Sequence, residues 1–385
     1  MKMIIGEIDG KKIEKKISIK YEERNISPDK IVKLSLLTVL VGYLKGGKIK
    51  IDKPLKVNNR RLSSFLNFIL NHRKFAPIKY NIKVEYSNNF HISKIKNKKN
   101  KKGVVILGSG GIDSTGAILH YLDKGIKPVV VFLHFGQINN DREIKIIRKI
   151  CDKLKINLAV AKINISKEVL RGWKEWSYIV PARNFLISST GALVLNEIFG
   201  SGELILAATQ EEVNHPQATT DKSKRFYNFC SEFYSLEYGV KIKVITPFID
   251  ITKAELLSVW RRKWVKKYNI SPYGTSTCYK GIECGKCNSC FKRSIALLAG
   301  GLNLDKQIKV NPFYDEKKSI DYLKRMASPS GNFTKKRRLD TIIGYIQANR
   351  IGLIKSNRLR KEIMSLKRDL SSQINQRTKE LFIRI

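Results

Sequence analysis

Apolar residues in the middle of this 385-residue chain recur in short runs that alternate with stretches of helical period. Val104-Val105-Ile106-Leu107 is too short for most helices and rich enough in β-branched residues for a buried parallel strand. Gly116-Ala117-Ile118-Leu119-His120-Tyr121-Leu122 then reads as a helix with one apolar face. The alternation continues with strands at Pro128–Phe135, Asn157–Ile163, Glu203–Ala208 and Lys241–Ile245. Between them lie helical patterns over Arg142–Leu154, about Arg183–Phe199, and Ser223–Tyr238. Thr252-Lys253-Ala254-Glu255 is a capping box that opens a further helix. This order predicts an α/β fold, a parallel sheet with helices on both faces and ligands at the carboxyl ends of its strands. The segments Ser109–Ser114, Gly136–Asn139, Thr209–Thr220 and Pro247–Thr252 should therefore converge on one rim.

The pattern changes on either side of that block. Met3–Ile8 and Ile13–Tyr21 read as strands separated by the turn signal Asp9-Gly10. Ser27-Pro28 reads as an N-cap and first helical residue, opening a helix that ends near Gly46-Gly47. A strand at Lys48–Val57, a helix over about Arg60–Asn71 and a strand at Tyr80–Tyr86 complete a small α+β module. Lys94, Lys96, Lys98, Lys99, Lys101 and Lys102 mark residues 88–102 as a basic linker. After residue 303 the chain is mostly helical, with a break at Ser328-Pro329-Ser330-Gly331. Its final helix, from about Asn357, shows no chemistry. The expected organisation is an N-terminal α+β module and basic linker (1–102), a catalytic domain (103–302) and a basic helical C-terminal extension (303–385). A chain of residues 103–302 should then retain the chemistry, provided the later helices do not cover its core.

Length and 42% hydrophobic content allow two or three ordinary domains. No apolar run reaches membrane-spanning length; Ile31–Leu44 is too short and contains Lys33. Gly10-Lys11-Lys12 interrupts any signal-peptide pattern. A cytoplasmic protein with no membrane partner is expected. The net charge of +41 is uneven: residues 1–102 hold 26 Lys/Arg against 8 Asp/Glu, and residues 303–385 hold 20 against 8. Such flanks suit an acidic partner, nucleic acid or protein. The Lys-, Ile- and Asn-rich composition of the whole chain would produce the same excess with no partner.

Four of the six cysteines form Cys278-x5-Cys284-x2-Cys287-x2-Cys290. Cys-x2-Cys steps bring thiolates together on tight turns, and four soft ligands with no open position describe a structural zinc knuckle. An iron–sulfur cluster uses the same ligands and stays open as the alternative. Cys151 and Cys230 fall in helical patterns and read as core thiols.

The turn after the first strand of the block is Ser109-Gly110-Gly111-Ile112-Asp113-Ser114-Thr115. Adjacent glycines let backbone approach a ligand, and a helix start favours phosphate oxygens. A Walker A loop would need Lys after Gly111, and a dinucleotide fingerprint would need Gly in place of Asp113. What remains, S-G-G-x-D-S, resembles the pyrophosphatase loop of enzymes that split ATP into AMP and pyrophosphate. Asp113 is tolerable there as a ligand of Mg²⁺.

Together with that loop, Phe135-Gly136-Gln137, Val180-Pro181-Ala182-Arg183-Asn184, the run from Pro247 to Glu255, and Cys278-Tyr279 with Cys284–Cys290 resemble the QueC family, the 7-cyano-7-deazaguanine synthases. The five motifs occur in family order over residues 103 to about 300. The resemblance implies a PP-loop ATP pyrophosphatase fold of the adenine nucleotide alpha hydrolase type. It also implies ATP, Mg²⁺ and Zn²⁺, and a ligase that adenylates the carboxylate of 7-carboxy-7-deazaguanine, so that ammonia can attack and a nitrile can form. Ser109–Thr115 would bind ATP and pyrophosphate, with Ser109, Asp113, Ser114 and Lys253 catalytic. Gly136, Gln137, Arg183, Asn184 and Asp221 would face the substrate, and Cys278, Cys284, Cys287 and Cys290 would hold the zinc.

The chain departs from the family in places. Phe132-Leu133-His134-Phe135 replaces a stretch that usually contains Asp, Ile138-Asn139 replaces Arg-His, and the loop from Thr209 to Pro216 is altered. His134 and His215 are candidate polar contacts. Both basic flanks are additional to the biosynthetic enzyme. Four readings therefore stand: the ordinary synthase of queuosine or archaeosine biosynthesis; a relative that passes the activated deazaguanine to an amine on a partner protein, as extended QueC-like proteins of antiviral operons suggest; a PP-loop enzyme acting on tRNA; and a nucleotide-sensing module without catalysis.

Overall fold

The computed structural model describes residues 3–15, 17–44, 47–51, 54–70, 82–86, 101–135, 138–163, 182–213, 220–276, 278, 283–304, 308–328 and 334–382. The chain packs as two compact units. The first holds residues 1–109, 120–207 and 217–247, and the second holds 110–119, 208–216 and 248–385.

A mostly parallel sheet organises the first unit. Strands β7 (Lys101–Leu107), β8 (Val129–His134), β9 (Leu158–Ile163), β10 (Gly200–Ile205) and β11 (Ile242–Ile245) pair in the order β11-β10-β7-β8-β9. Val129 through Leu133 are all buried, as a parallel strand covered on both faces requires. The registers Ile205↔Ile245, Ile205↔Ile106, Leu107↔Val131 and His134↔Lys162 place the five carboxyl ends on one edge. Strand order runs outward from β7 in both directions, so the turn leaving β7 starts at the topological switch point.

The N-terminal residues are built into this unit. The expected single strand Ile13–Tyr21 is two, β2 (Lys11–Lys15) and β3 (Ile17–Tyr21), and they serve different sheets. Lys15-Lys16 breaks the apolar alternation where the chain changes sheet. β1 (Met3–Ile8), β2, β5 (Gly47–Ile51) and β6 (Ile82–Tyr86) form a four-stranded sheet in the order β2-β1-β5-β6. β3 instead joins β9 antiparallel, pairing Ile17 with Ile163 and Tyr21 with Ala159, and β4 (Arg24–Ile26) closes that edge.

Helix α1 (Lys30–Leu44) is capped by Asp29 and not by Ser27, since the Asp29 carboxylate accepts from the N–H groups of Ile31 and Val32 at 3.0 Å each. The expected strand Lys48–Val57 stops at Ile51, and Val57 donates its N–H to Glu237. From α2 (Asn59–Leu70), Phe65 stacks on Phe229 with centroids 3.6 Å apart and meets Phe185 edge-on at 5.5 Å. α3 (Ile112–Asp123), α4 (Ile138–Leu154), α5 (Arg183–Ile198) and α6 (Lys224–Tyr238) follow at or near the expected places.

The second unit is helical: α7 (Lys253–Val259), α8 (Asn288–Ala299), α9 (Glu316–Ala327), α10 (Lys335–Arg350), α11 (Asn357–Asp369) and α12 (Ser371–Phe382). One apolar cluster joins Ala254, Phe291, Ile295 and Leu298 to Leu323, Ile342, Tyr345, Ile363 and Leu381. The helices after residue 303 therefore do cover the core of those before it. Gly344 lies so close to α8 that a Cβ there would stand 2.6 Å from the Ile295 carbonyl oxygen.

Candidate active site and metal centre

Gly110 holds φ at +69°, a conformation that glycine adopts without a side-chain clash, and this bends the chain from strand into helix. Thr115 N–H already donates to the Gly111 carbonyl at 3.1 Å, so helix α3 begins within the glycine turn. A Cβ at Gly116 would stand 3.0 Å from the Leu256 side chain, and this close approach of α3 to α7 brings two predicted residues together. The Lys253 ammonium lies 3.0 Å from the Asp113 carboxylate. Burial would push Lys253 down, but Asp113, Glu212 and Glu211 outweigh it and hold the lysine protonated well above its usual range. Thr115 is fully buried, and its hydroxyl has no hydrogen-bond partner among the described residues.

The capping box forms as expected. Thr252 Oγ1 accepts from Glu255 N–H at 3.2 Å, and Glu255 accepts from Thr252 N–H at 2.6 Å. The Lys253 N–H donates to the Glu211 carboxylate at 3.2 Å, and the other Glu211 oxygen accepts from Thr209 Oγ1 at 2.7 Å. The sequence marks the Thr209 loop as a rim segment and as a departure from the family, without assigning a role to its acids. Its acids are counter-charges of the lysine.

In the first unit, Asn184 and Asp221 come together. Asn184 N–H donates to Asp221 Oδ2 at 3.3 Å, and the Asn184 side-chain amide donates to the Asp221 carbonyl at 3.4 Å. Ala182 initiates α5 in the left-handed region, φ 50° and ψ 24°, which is strained for a residue with a Cβ. That strain was not foreseeable from the motif. Asp221 is buried, and its Oδ1 has no hydrogen-bond partner among the described residues. Arg183, the next residue of the motif, is half-buried. Gly136, Gln137 and His215 lie outside the described residues. His134 pairs with Asp141 at 3.0 Å, and this contact holds the exposed Asp141 carboxyl below its usual range.

Cys278, Cys284, Cys287 and Cys290 place all four sulfurs within 4.8 Å of one another. Cys284 and Cys290 are 3.9 Å apart, and Cys287 and Cys278 are 4.0 Å apart. A tetrahedron with metal–sulfur bonds of about 2.3 Å has edges of about 3.8 Å, so the set fits a single zinc-sized ion. In an iron–sulfur cluster the four cysteine sulfurs are shared among two or four irons, so sulfurs on different irons stand farther apart. Hydrogen bonding from the Cys290 thiol, with smaller contributions from the Cys290 N–H and the Cys284 and Cys278 sulfurs, draws the Cys287 thiol below its usual range. Cys151 is buried, with its thiol pushed up to about 12 by burial, and Cys230 is fully buried; both are core residues.

The knuckle reaches the glycine loop. Glu283 accepts from Ser276 Oγ at 2.8 Å, and Ser276 N–H donates to the Gly110 carbonyl at 3.0 Å. Arg293, 2% exposed, holds the same segment through Thr275 Oγ1 and the Pro272 carbonyl.

A mostly parallel sheet in one unit and, in the other, a glycine turn with a paired Asp and Lys at two helix starts define an α/β protein with a glycine-rich loop. A sequence profile described as "Queuosine biosynthesis protein QueC" matches residues 102–300, just over half of the chain, and the chain belongs to that family. Among its relatives, 7-cyano-7-deazaguanine synthase 2 of Sulfurisphaera tokodaii is 27% identical over 247 residues, which is 57% of this chain and 51% of that protein. The match to 7-cyano-7-deazaguanine synthase 1 of the same organism is 28% over 202 residues, 51% of this chain and 94% of the relative. The 7-cyano-7-deazaguanine synthase of Chlorobaculum parvum is 27% identical over 233 residues, 54% and 98%. The chain thus spans about half the length of the first of these and nearly all of the other two.

Proposed function

We propose that the chain activates the carboxylate of 7-carboxy-7-deazaguanine with ATP. A carboxylate oxygen attacks the α-phosphorus, the bond to the β-phosphate breaks, and pyrophosphate leaves. Ammonia then attacks the acyl carbon, AMP departs and an amide forms; a second activation at the amide oxygen, followed by loss of protons and AMP, gives the nitrile. The observation that carries this reading is the Lys253–Asp113 pair, 3.0 Å apart, at the start of the glycine-loop helix. A fixed cation facing departing pyrophosphate acts mainly in the transition state. Ser109, Gly110, Gly111, Ile112, Ser114 and Thr115 line the phosphates in this reading, and the unpartnered Thr115 hydroxyl suits a phosphate oxygen. Asp113 supplies a hard oxygen for Mg²⁺, which neutralises polyphosphate charge. The buried Asp221 carboxylate matches the N–H-rich edge of a guanine-like base, and Asn184 orients it. Arg183, Gly136 and Gln137 complete the substrate contacts. The four cysteines hold zinc in a structural role. Incubation with ATP and 7-carboxy-7-deazaguanine, with and without ammonia, should release pyrophosphate and give amide or nitrile masses. Absence of ATP–pyrophosphate exchange with this acid would sink the reading.

The acceptor admits a second reading. Arg358, Arg360, Lys361, Lys367 and Arg368 are exposed on α11, beyond the matched residues 102–300. They suit an acidic macromolecule that brings the accepting amine. Its complex should weaken as salt rises, most steeply for a nucleic acid. If no salt-sensitive complex forms with tRNA, DNA or an acidic protein, ammonia is the acceptor and the charge is compositional.

A further inference from the structure

A charge network reaches α7 from residues that lie wholly outside the family match. Arg377 on α12 is 2% exposed. Its Nε donates to Asp340 Oδ1 at 2.7 Å and its Nη2 to Asp340 Oδ2 at 3.1 Å, a bidentate clamp. Its Nη1 donates at 2.8 Å to both Glu255 and Glu380. Asp340 on α10 accepts from Thr252 Oγ1. Both members of the capping box that starts the Lys253 helix are therefore held by one buried arginine. Lys336 adds a contact to Glu255 at 3.1 Å.

Helix α10 and its N-cap Thr334 also hold the segment that carries Glu211. Arg337 donates to the Glu211 carbonyl at 3.4 Å, and Thr334 Oγ1 donates to the Gln210 side chain at 2.9 Å. Glu211 is the group that accepts from the Lys253 N–H. Lysine in a first helical turn runs against the helix dipole, so its place has to be imposed by surrounding groups.

We propose that Arg377, acting through Asp340 and Glu255, is a positioning residue that fixes Lys253 against the departing pyrophosphate. The inference rests on the reading of Lys253 given above. Loss of the clamp leaves the lysine charged and present but lets its helix start shift, which lowers turnover more than ATP binding. A displacement of about 1 Å at a reacting group can lower a rate on the order of 100-fold.

The test is ATP–pyrophosphate exchange in the full chain, with kcat and KM for ATP measured separately. Removing one member of a buried pair strands the other, so the main variant is the double Arg377→Met, Asp340→Leu, which replaces both charges by apolar bulk. Its melting temperature should stay near that of the parent, while kcat falls at least about tenfold and KM for ATP changes less than about threefold. Wild-type kcat in this stably folded double variant overturns the proposal. Lys336→Met, at a half-exposed site where folding is not at stake, should show the same split at about threefold, and an unchanged kcat there also overturns it. Lys253→Met is run alongside. Full exchange in that variant overturns the reading of Lys253, whereas its loss combined with wild-type kcat in the clamp variants removes only the role of Arg377.

Discussion

Asp113 faces two opposite demands. In the proposed reaction it stands beside polyphosphate, where a carboxylate is repelled unless a cation intervenes, and the cation it meets in the structure is Lys253 at 3.0 Å. The lysine keeps Glu211 and Glu212 as counter-charges if Asp113 is neutralised. Asp113→Asn should therefore shift the melting temperature by no more than a few degrees while lowering exchange on the order of 100-fold. An unimpaired exchange rate in this variant would mean that the loop has another role. The raised pKa of Lys253 has its own consequence. The folded state holds this proton more tightly than the unfolded chain, so the lysine remains a cation through neutral pH and past its ordinary range near 10.4. The exchange rate should show no loss from deprotonation of Lys253 below about pH 10. An alkaline limb between pH 7 and 9 that disappears in Lys253→Met would contradict this.

At the scale of elements, the knuckle does more than fold its own turn. Through Glu283 and Ser276 it holds the Gly110 carbonyl, the hinge of the glycine loop. Metal analysis should find about one zinc per chain. Stripping it, or Cys284→Ser, removes binding free energy on the order of 10 kcal/mol, as in small structural sites. Melting should fall sharply, and exchange should fall at temperatures where the helical circular dichroism of the chain is still retained. Parallel loss of helix and exchange would confine the knuckle to folding. This part of the site was legible in the sequence, because cysteine spacing, the glycine turn and the capping box are local signals. The five parallel strands were legible too, from short β-branched runs between helical periods. What was hidden depends on distant pairings. Asp29 takes the cap that Ser27-Pro28 suggested, and its other oxygen accepts from Tyr238, more than two hundred positions away. The final helix shows no chemistry in the sequence, because an arginine there carries no sign that it will be buried against Asp340 and Glu255.

The whole molecule argues against a separable catalytic middle. In the second unit, fourteen of the nineteen buried members of the apolar cluster come from residues 313–381, and five from residues 254–299. Helices α7 and α8, which carry the lysine and the last knuckle cysteine, share this cluster with the helices that follow residue 303. In the first unit, β3 covers the edge of β9, and Phe65 of α2 fills the cluster around Phe185, Phe226 and Phe229. Each such side chain is worth roughly 1.5–3 kcal/mol on burial. Losing a dozen exceeds the 5–15 kcal/mol that holds a typical domain together. A chain cut to residues 103–302 should thus be insoluble or molten, with weak near-ultraviolet circular dichroism and exposed apolar surface, and it should not catalyse exchange. Removal of residues 357–385 alone should already lower both stability and exchange, since it deletes Arg377 together with Leu359, Ile363, Ile374 and Leu381. A soluble, cooperatively melting 103–302 fragment with full exchange activity would show that the flanks are appendages after all.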